Sequence, residues 1–128
     1  MSDGRTSLKR EQALRYNSNK LEWHNFPLFL IEPLIRVSHF GARKYETYNF
    51  LKGAPINQYL DSLKRHLAAF ESPYEGDDDS ESGQSHLSHI AWNALVALHV
   101  LKNMPELDNR YKDELQKMFD DLQERDKK

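Results

Sequence analysis

Four stretches of the chain repeat apolar residues at three- and four-residue intervals, the period of an α-helix buried along one side. In the first, Leu30, Ile31, Leu34, Ile35 and Val37 form the apolar side. Proline is tolerated in a first turn, so this helix is predicted to start near Pro27 or Pro33 and to end at Gly41. The second follows Pro55 and carries Ile56, Tyr59, Leu60, Leu63, Leu67 and Phe70 as one stripe. The third begins after Ser85, a good N-cap, and stops ahead of Pro105. Its predicted core face is broad: Leu87, Ile90, Ala91, Ala94, Leu95, Leu98 and Leu101. The fourth, over 107–124, sets Leu107, Tyr111, Leu115, Met118, Phe119 and Leu122 on one side of a charged helix.

The connecting segments have different characters. Residues 1–14 are polar and predicted to be a mobile segment, 15–124 form one domain, and 125–128 are a frayed tail. Residues 15–27 are rich in turn formers with two aromatic anchors and read as a surface loop. Residues 41–55 form a basic and aromatic loop bracketed by Gly41 and Gly53. The run ESPYEGDDDSESG is acidic enough to repel itself, which predicts a solvated loop between the second and third helices. No strand-like alternation and no repeat is visible. The fold class is therefore all-α, a small bundle of about four helices. Trp92 and His99 lie seven residues apart and round from the predicted core stripe, which suggests a second covered surface and hence a homo-oligomer.

Composition narrows the picture. The 128 residues include no cysteine, which removes disulfides, thiolate metal sites and a cysteine nucleophile. A formal charge of −2 does not favour extended duplex nucleic acid, although a few placed Lys and Arg residues suffice for a compact anion. The N-terminus lacks the apolar run of a signal peptide. The most apolar stretch, Phe26 to Phe40, is broken by Pro27, Glu32, Pro33 and Arg36, far short of the roughly 18–20 residues of a membrane span. The expectation is a cytoplasmic protein with no membrane partner.

One constellation offers chemistry. On the third helix His86, His89 and Asn93 fall in a narrow polar stripe beside the predicted core face. On the second helix His66, flanked by Arg65, borders its own core stripe. If these helices pack as an antiparallel hairpin, His66 approaches His86 and His89 near the acidic loop. Three histidines with Glu71, Glu75 and Asp77 to Asp79 within reach would suit a divalent ion: imidazole for zinc-like ions, carboxylate for magnesium or manganese. His-x-x-His is also a common pattern that merely hydrogen-bonds to neighbours. The acidic loop by itself lacks the ligand spacing of a calcium loop. A second candidate is the basic and aromatic set: Arg15, Lys20, Arg43, Lys44, Lys52 and Arg65 among Tyr16, Trp23, Tyr45, Tyr48 and Phe50. Such a set suits phosphates and a base, or consists of surface charges beside aromatic loop anchors.

The blocks LRYNSNKLEW, FGARKYETYNFLKG, YLDSLKRHLAAF, SESGQSHLSHIAWNAL and PELDNR, in that order over roughly residues 14–110, resemble a bacteriophage-associated family, the dATP/dGTP diphosphohydrolase N-terminal domain. The resemblance implies nucleotide handling, with conversion of dGTP to dGMP in some members. Positions that match it include Arg15, Asn17, Lys20, Lys44, Tyr45, Arg65, His66, His86, His89 and Asn93. Phe50 stands where the family usually has Trp. A fainter likeness is to the all-α nucleoside triphosphate pyrophosphatases, whose magnesium-binding carboxylates are replaced here by His86 and His89.

These readings leave three functions open. The first is a metal-dependent diphosphohydrolase acting on a purine (deoxy)nucleoside triphosphate in the cytoplasm, that of the host cell for a phage-encoded protein. In it His66, His86 and His89 are catalytic and, with Glu71, hold magnesium, manganese, cobalt or zinc. Arg15, Asn17, Lys20, Arg43, Lys44, Tyr45, Arg65 and Asn93 bind the nucleotide, with Tyr45 or Trp23 against the base. The second is a non-catalytic binder that sequesters a nucleotide or a nucleotide-derived defence signal. The third is a protein-interaction module built on the last helix.

Overall fold

A computed structural model describes residues 10–127. The chain is exposed and irregular through residue 22, with a turn closed by the Lys20 N–H donating to the Asn17 carbonyl, makes short 3-10 turns at Trp23–Asn25 and Leu28–Ile31, and then enters α1, Glu32–Lys44. Pro33 sits in the first turn of α1, and Arg36 reaches back one turn to Glu32 at 2.6 Å. The helix does not end at Gly41 but runs on to Lys44, with Arg43 and Lys44 in the last turn where the helix dipole favours cations. Gly41 is a gap in the side of the helix: a Cβ added there would meet nothing within 4 Å.

A 3-10 turn, Asn49–Lys52, leads to Gly53, where glycine is required. Its φ is +79°, and an added Cβ would lie 2.6 Å from Met104 Sδ. Helix α2, Ile56–Glu71, follows Pro55 as expected. Its first turn is capped from far along the chain: the Asn57 backbone N–H donates to Asn109 Oδ1 at 2.9 Å, and the Asn57 amide donates back to the Asn109 carbonyl. Helix α3, His86–Asn103, opens on the Ser85 cap, whose hydroxyl accepts from Leu87 N–H at 3.1 Å. It closes ahead of the 3-10 turn Pro105–Leu107. Helix α4 spans Lys112–Asp126, so it starts later than the periodicity predicts and stays helical into the expected frayed tail. Of the mobile segment expected over 1–14, residues 1–9 lie outside the described residues, as does Lys128 of the tail.

The dominant packing is α2 against α3, with α1 against α3 as a smaller contact. Ile56, Tyr59, Val96 and Val100 form the buried centre, with Leu60, Trp92, Leu101, Met104 and Leu107 closing round it. This corrects the rotation expected for α3. The side that packs inward is His86, His89, Asn93, Val96 and Val100, whereas Leu87, Leu95 and Leu98 are about half exposed. The inward stripe lies roughly a third of a turn from the predicted apolar face. Trp92 is not on an outward face either, for its Nε1–H donates to Ser38 Oγ on α1 at 2.7 Å.

The acidic segment is largely exposed, as expected, and its backbone is also tied down by hydrogen bonds. Asp78 and Ser85 form an antiparallel bridge. The Asp79 N–H donates to the Gln84 carbonyl, the Gly83 N–H to the Asp79 carbonyl, and the His86 N–H to the Asp77 carbonyl, each at 2.8 Å. Gly83 turns the chain with a φ of +73°. The carboxylates crowd at the N-terminus of α3, whose partial positive charge offsets the repulsion that composition alone suggests.

Candidate metal-binding cleft

The hairpin sets the last two turns of α2 beside the first turn of α3. His66 Nδ1 and His86 Nδ1 come within 2.9 Å. His66 also stacks on His89, with ring centroids 4.3 Å apart and planes 6° from parallel. The hairpin adds Asp79: one ligand atom from each of His66, Asp79 and His86 lies within 4.8 Å of the other two. Two nitrogen ligands on a tetrahedral ion stand roughly 3.3 Å apart, so the His66–His86 pair needs to open by only a few tenths of an ångström. Two imidazoles and one carboxylate suit zinc, manganese or cobalt better than magnesium, which prefers oxygen.

Ser82 ties the remaining parts together. Its backbone N–H donates to Asp79 Oδ2 at 2.8 Å, and its Oγ accepts the Gln84 N–H at 3.1 Å. The same hydroxyl stands 2.6 Å from His89 Nε2, within hydrogen-bond distance. Burial holds His89 below the ordinary histidine range, against the pull of Asp79. Burial likewise lowers His66, reinforced by His89. Burial opposes ionisation of Asp79, but the Ser82 backbone N–H and hydroxyl outweigh it and hold the carboxyl below its ordinary value. The surroundings thus favour an unprotonated His66 beside an ionised Asp79, the states in which these two groups can ligate a cation.

Above the cluster opens a cleft of about 940 Å³ between α1, α2 and the hairpin. Lys44 and Arg65 are its cations, and Glu75, Asp79 and Glu81 its carboxylates. Lys44 lies 2.6 Å from Glu81, whose carboxylate holds the ammonium in its charged form, and it stands over the Tyr45 and Phe40 rings. Phe40 meets His89 edge-on. Asn93 donates to the His89 carbonyl at 2.8 Å and to Ser62 Oγ at 3.3 Å, fixing the floor of the cleft.

Of the residues singled out in the sequence, the structure gathers His66, His86, His89, Lys44, Tyr45, Arg65 and Asn93 round this cleft. His89 is beside the ligand cluster rather than in it. Glu71 is exposed at the end of α2 and does not line the cleft; Asp79, one of several carboxylates in reach by sequence, stands in the cluster. Arg15, Asn17, Lys20 and Trp23 lie on the exposed N-terminal segment, and Arg43 faces away. Phe40 was not singled out, and Ser82 stood out only as a position that matches the family resemblance, with no role attached to it.

Fold and site together define a helical-hairpin protein with a histidine–aspartate cluster that could hold a metal ion, at the floor of a cleft lined by charges of both signs. Residues 10–110 match the dATP/dGTP diphosphohydrolase, N-terminal family, and the chain belongs to that family. A dATP/dGTP diphosphohydrolase of Salmonella phage PMBT28 is 33% identical over 96 residues, 71% of this chain and 32% of the relative. The chain thus spans about a third of that relative's length. No solved structure matches. No helix among the described residues is long and apolar enough to cross a membrane.

Proposed function

We propose that the cleft binds a purine deoxynucleoside triphosphate through a divalent ion and releases pyrophosphate from it. The observation that carries this reading is the convergence of His66, Asp79 and His86 at the floor of a cleft whose three carboxylates outnumber its two cations. A triphosphate entering that lining is repelled unless a cation accompanies it, and the cluster is where one would sit. The relative's name supplies the substrate class. A bound ion would polarise a water and neutralise phosphate charge. Lys44 and Arg65 would hold phosphate oxygens, Lys44 exchanging its Glu81 partner for the ligand. Ser82 and Asn93 keep His89 and the floor fixed, and Phe40 limits the access of water from the α1 side. In the reaction, the water oxygen bonds to the α-phosphorus and the α–β bridging P–O bond breaks.

The test is incubation of the purified protein with dGTP and dATP, with and without manganese, cobalt, zinc or magnesium, followed by mass spectrometry. Monophosphate and pyrophosphate should appear only with metal, and His86→Ala should abolish them. Intact triphosphate recovered from every combination would remove the hydrolase reading; co-purification of that triphosphate with the protein would make it a binder.

We also infer a second copy over the outward side of α3. Helix α4 makes little contact with the rest of the chain, and its Leu115, Met118, Phe119 and Leu122 are exposed. A 15-residue helix is marginal alone in water. Two such faces in one chain are self-complementary across a two-fold axis, α4 of one copy over α3 of the other. The wild type should sediment as a dimer or larger at micromolar concentration, and Leu95→Lys/Leu98→Lys as a folded monomer. A wild-type monomer would end this idea.

A further inference from the structure

Beside the cleft lies a second, smaller cavity of about 310 Å³ that the reading above does not use. Its walls are aromatic, from Tyr45, Tyr48, Phe50, Tyr59 and Trp92. Phe50 meets Trp92 edge-on at 5.8 Å, and Ser38 takes the indole N–H, so the largest ring is fixed from two sides. The polar groups that complete the lining include the carboxamides of Asn49 and Gln58, beside Ser38, Glu46 and Asn93, the last with its amide N–H groups already taken by the His89 carbonyl and Ser62. A carboxamide offers a donor and an acceptor side by side, the pairing that reads the edge of a heterocyclic base.

Two further observations point the same way. Tyr48 is held in the left-handed region, φ 62°, where glycine would be less strained, and its side chain remains largely exposed at the cavity. Packing therefore does not account for a ring kept in that conformation, whereas a ligand face does. The two cavities are also adjacent, sharing Gly41, Tyr45, Trp92 and Asn93 in their linings. At the shared wall α1 carries a glycine with open space where a side chain would stand.

The geometry points to a nucleobase site: the small cavity takes the planar heterocycle of a nucleotide whose phosphates lie over His66, Asp79 and His86. Aromatic faces supply stacking, the carboxamides address the polar edge, and the gap at Gly41 lets the sugar pass between the cavities. The inference rests on the cleft being a phosphate site, yet the small cavity can be probed with neither phosphate nor metal present.

The two tryptophans of the chain give two indole signals in a nitrogen-15 spectrum, assigned with Trp23→Phe. Titration with deoxyadenosine and deoxyguanosine, which carry no phosphate, should shift the Trp92 signal saturably and leave Trp23 in place. Gly41→Leu sets its Cβ in open space and extends a side chain at the wall the two cavities share. It should weaken nucleoside binding at least tenfold while the cobalt spectrum of the histidine cluster is unchanged. Tyr48→Ala, at an exposed position, should weaken binding in the same direction if Gly41→Leu does not fold. An unmoved Trp92 signal at millimolar nucleoside, or undiminished binding in both variants, would overturn the proposal. Nucleoside binding without metal-dependent turnover would instead remove the hydrolase reading and leave this one standing.

Discussion

One side of α3 is polar and buried; the other is apolar and exposed. His86, His89 and Asn93 are shut in against α2 and α1, while Leu87, Leu95 and Leu98 are exposed at 51%, 56% and 55%. Hydropathy alone ranks these sides the other way round. The inward side holds because its polar atoms are paired: among the described residues, no buried side-chain nitrogen or oxygen lacks a hydrogen-bond partner. His66 meets His86, Ser82 meets His89, and Asn93 reaches both the His89 carbonyl and Ser62. A paired imidazole costs little to bury, whereas an unpaired one costs on the order of 1–3 kcal/mol. The comparison teaches that a helix can turn its polar side inward, where every buried side-chain polar atom is paired, and leave its apolar side exposed.

That contrast can be broken most severely at His86. His86→Ala removes a ligand and leaves His66 unpaired, so metal affinity should fall by ~100-fold or more, since losses in the surrounding shell alone cost 10–100-fold. Isothermal titration with zinc or cobalt measures it. Next comes Val100, which is fully buried where the two helices cross. Val100→Ala should cost about 2 kcal/mol in denaturant unfolding, from lost burial and the cavity left behind.

The polar side also makes stability depend on pH. Because His66 and His89 sit below the ordinary value of 6.5 when folded, the unfolded chain binds more protons between that value and their lowered ones. Stability should therefore decline as pH falls from above 6.5 through that window, and recover as pH rises. A series of Tm values taken in chelator checks the sign; a Tm that rises on acidification would contradict it. Ser82→Ala should cost about 1 kcal/mol, for the hydroxyl accepts the Gln84 N–H and forms a second hydrogen bond with His89 Nε2. On the outward side, Leu98→Ala should shift the unfolding free energy of the dilute monomer by no more than about 0.5 kcal/mol.

Much of this was legible in the sequence. Pro33, Pro55, Ser85 and Pro105 punctuate the helices through local backbone chemistry, which a sequence displays directly. The hairpin and the meeting of His66 with His86 and His89 followed from helical period and a short connection. The rotation of α3 was not legible, because it depends on which polar atoms find partners in three dimensions. Asp79 could not be told from its acidic neighbours for the same reason: its position is set by backbone hydrogen bonds to Gln84 and Gly83. Arg15, Asn17 and Lys20 failed to reach the cleft because proximity in composition carries no information about where an irregular segment runs.

The hairpin of 72–85 has a kinetic consequence as well. The contacts that bring His66 to His86 span only 20 residues, a short loop that closes quickly and at small entropic cost. The His66–His86 pair therefore belongs to a local unit, α2 with α3, that can form before α1 arrives. The wall carrying Phe40, Gly41 and Lys44 docks through the smaller contact, and opening there exposes the cleft without dismantling its floor. In hydrogen exchange, α1 amides should then exchange ahead of those in α2 and α3, so that the helix guarding the ligand is also the first to let it go.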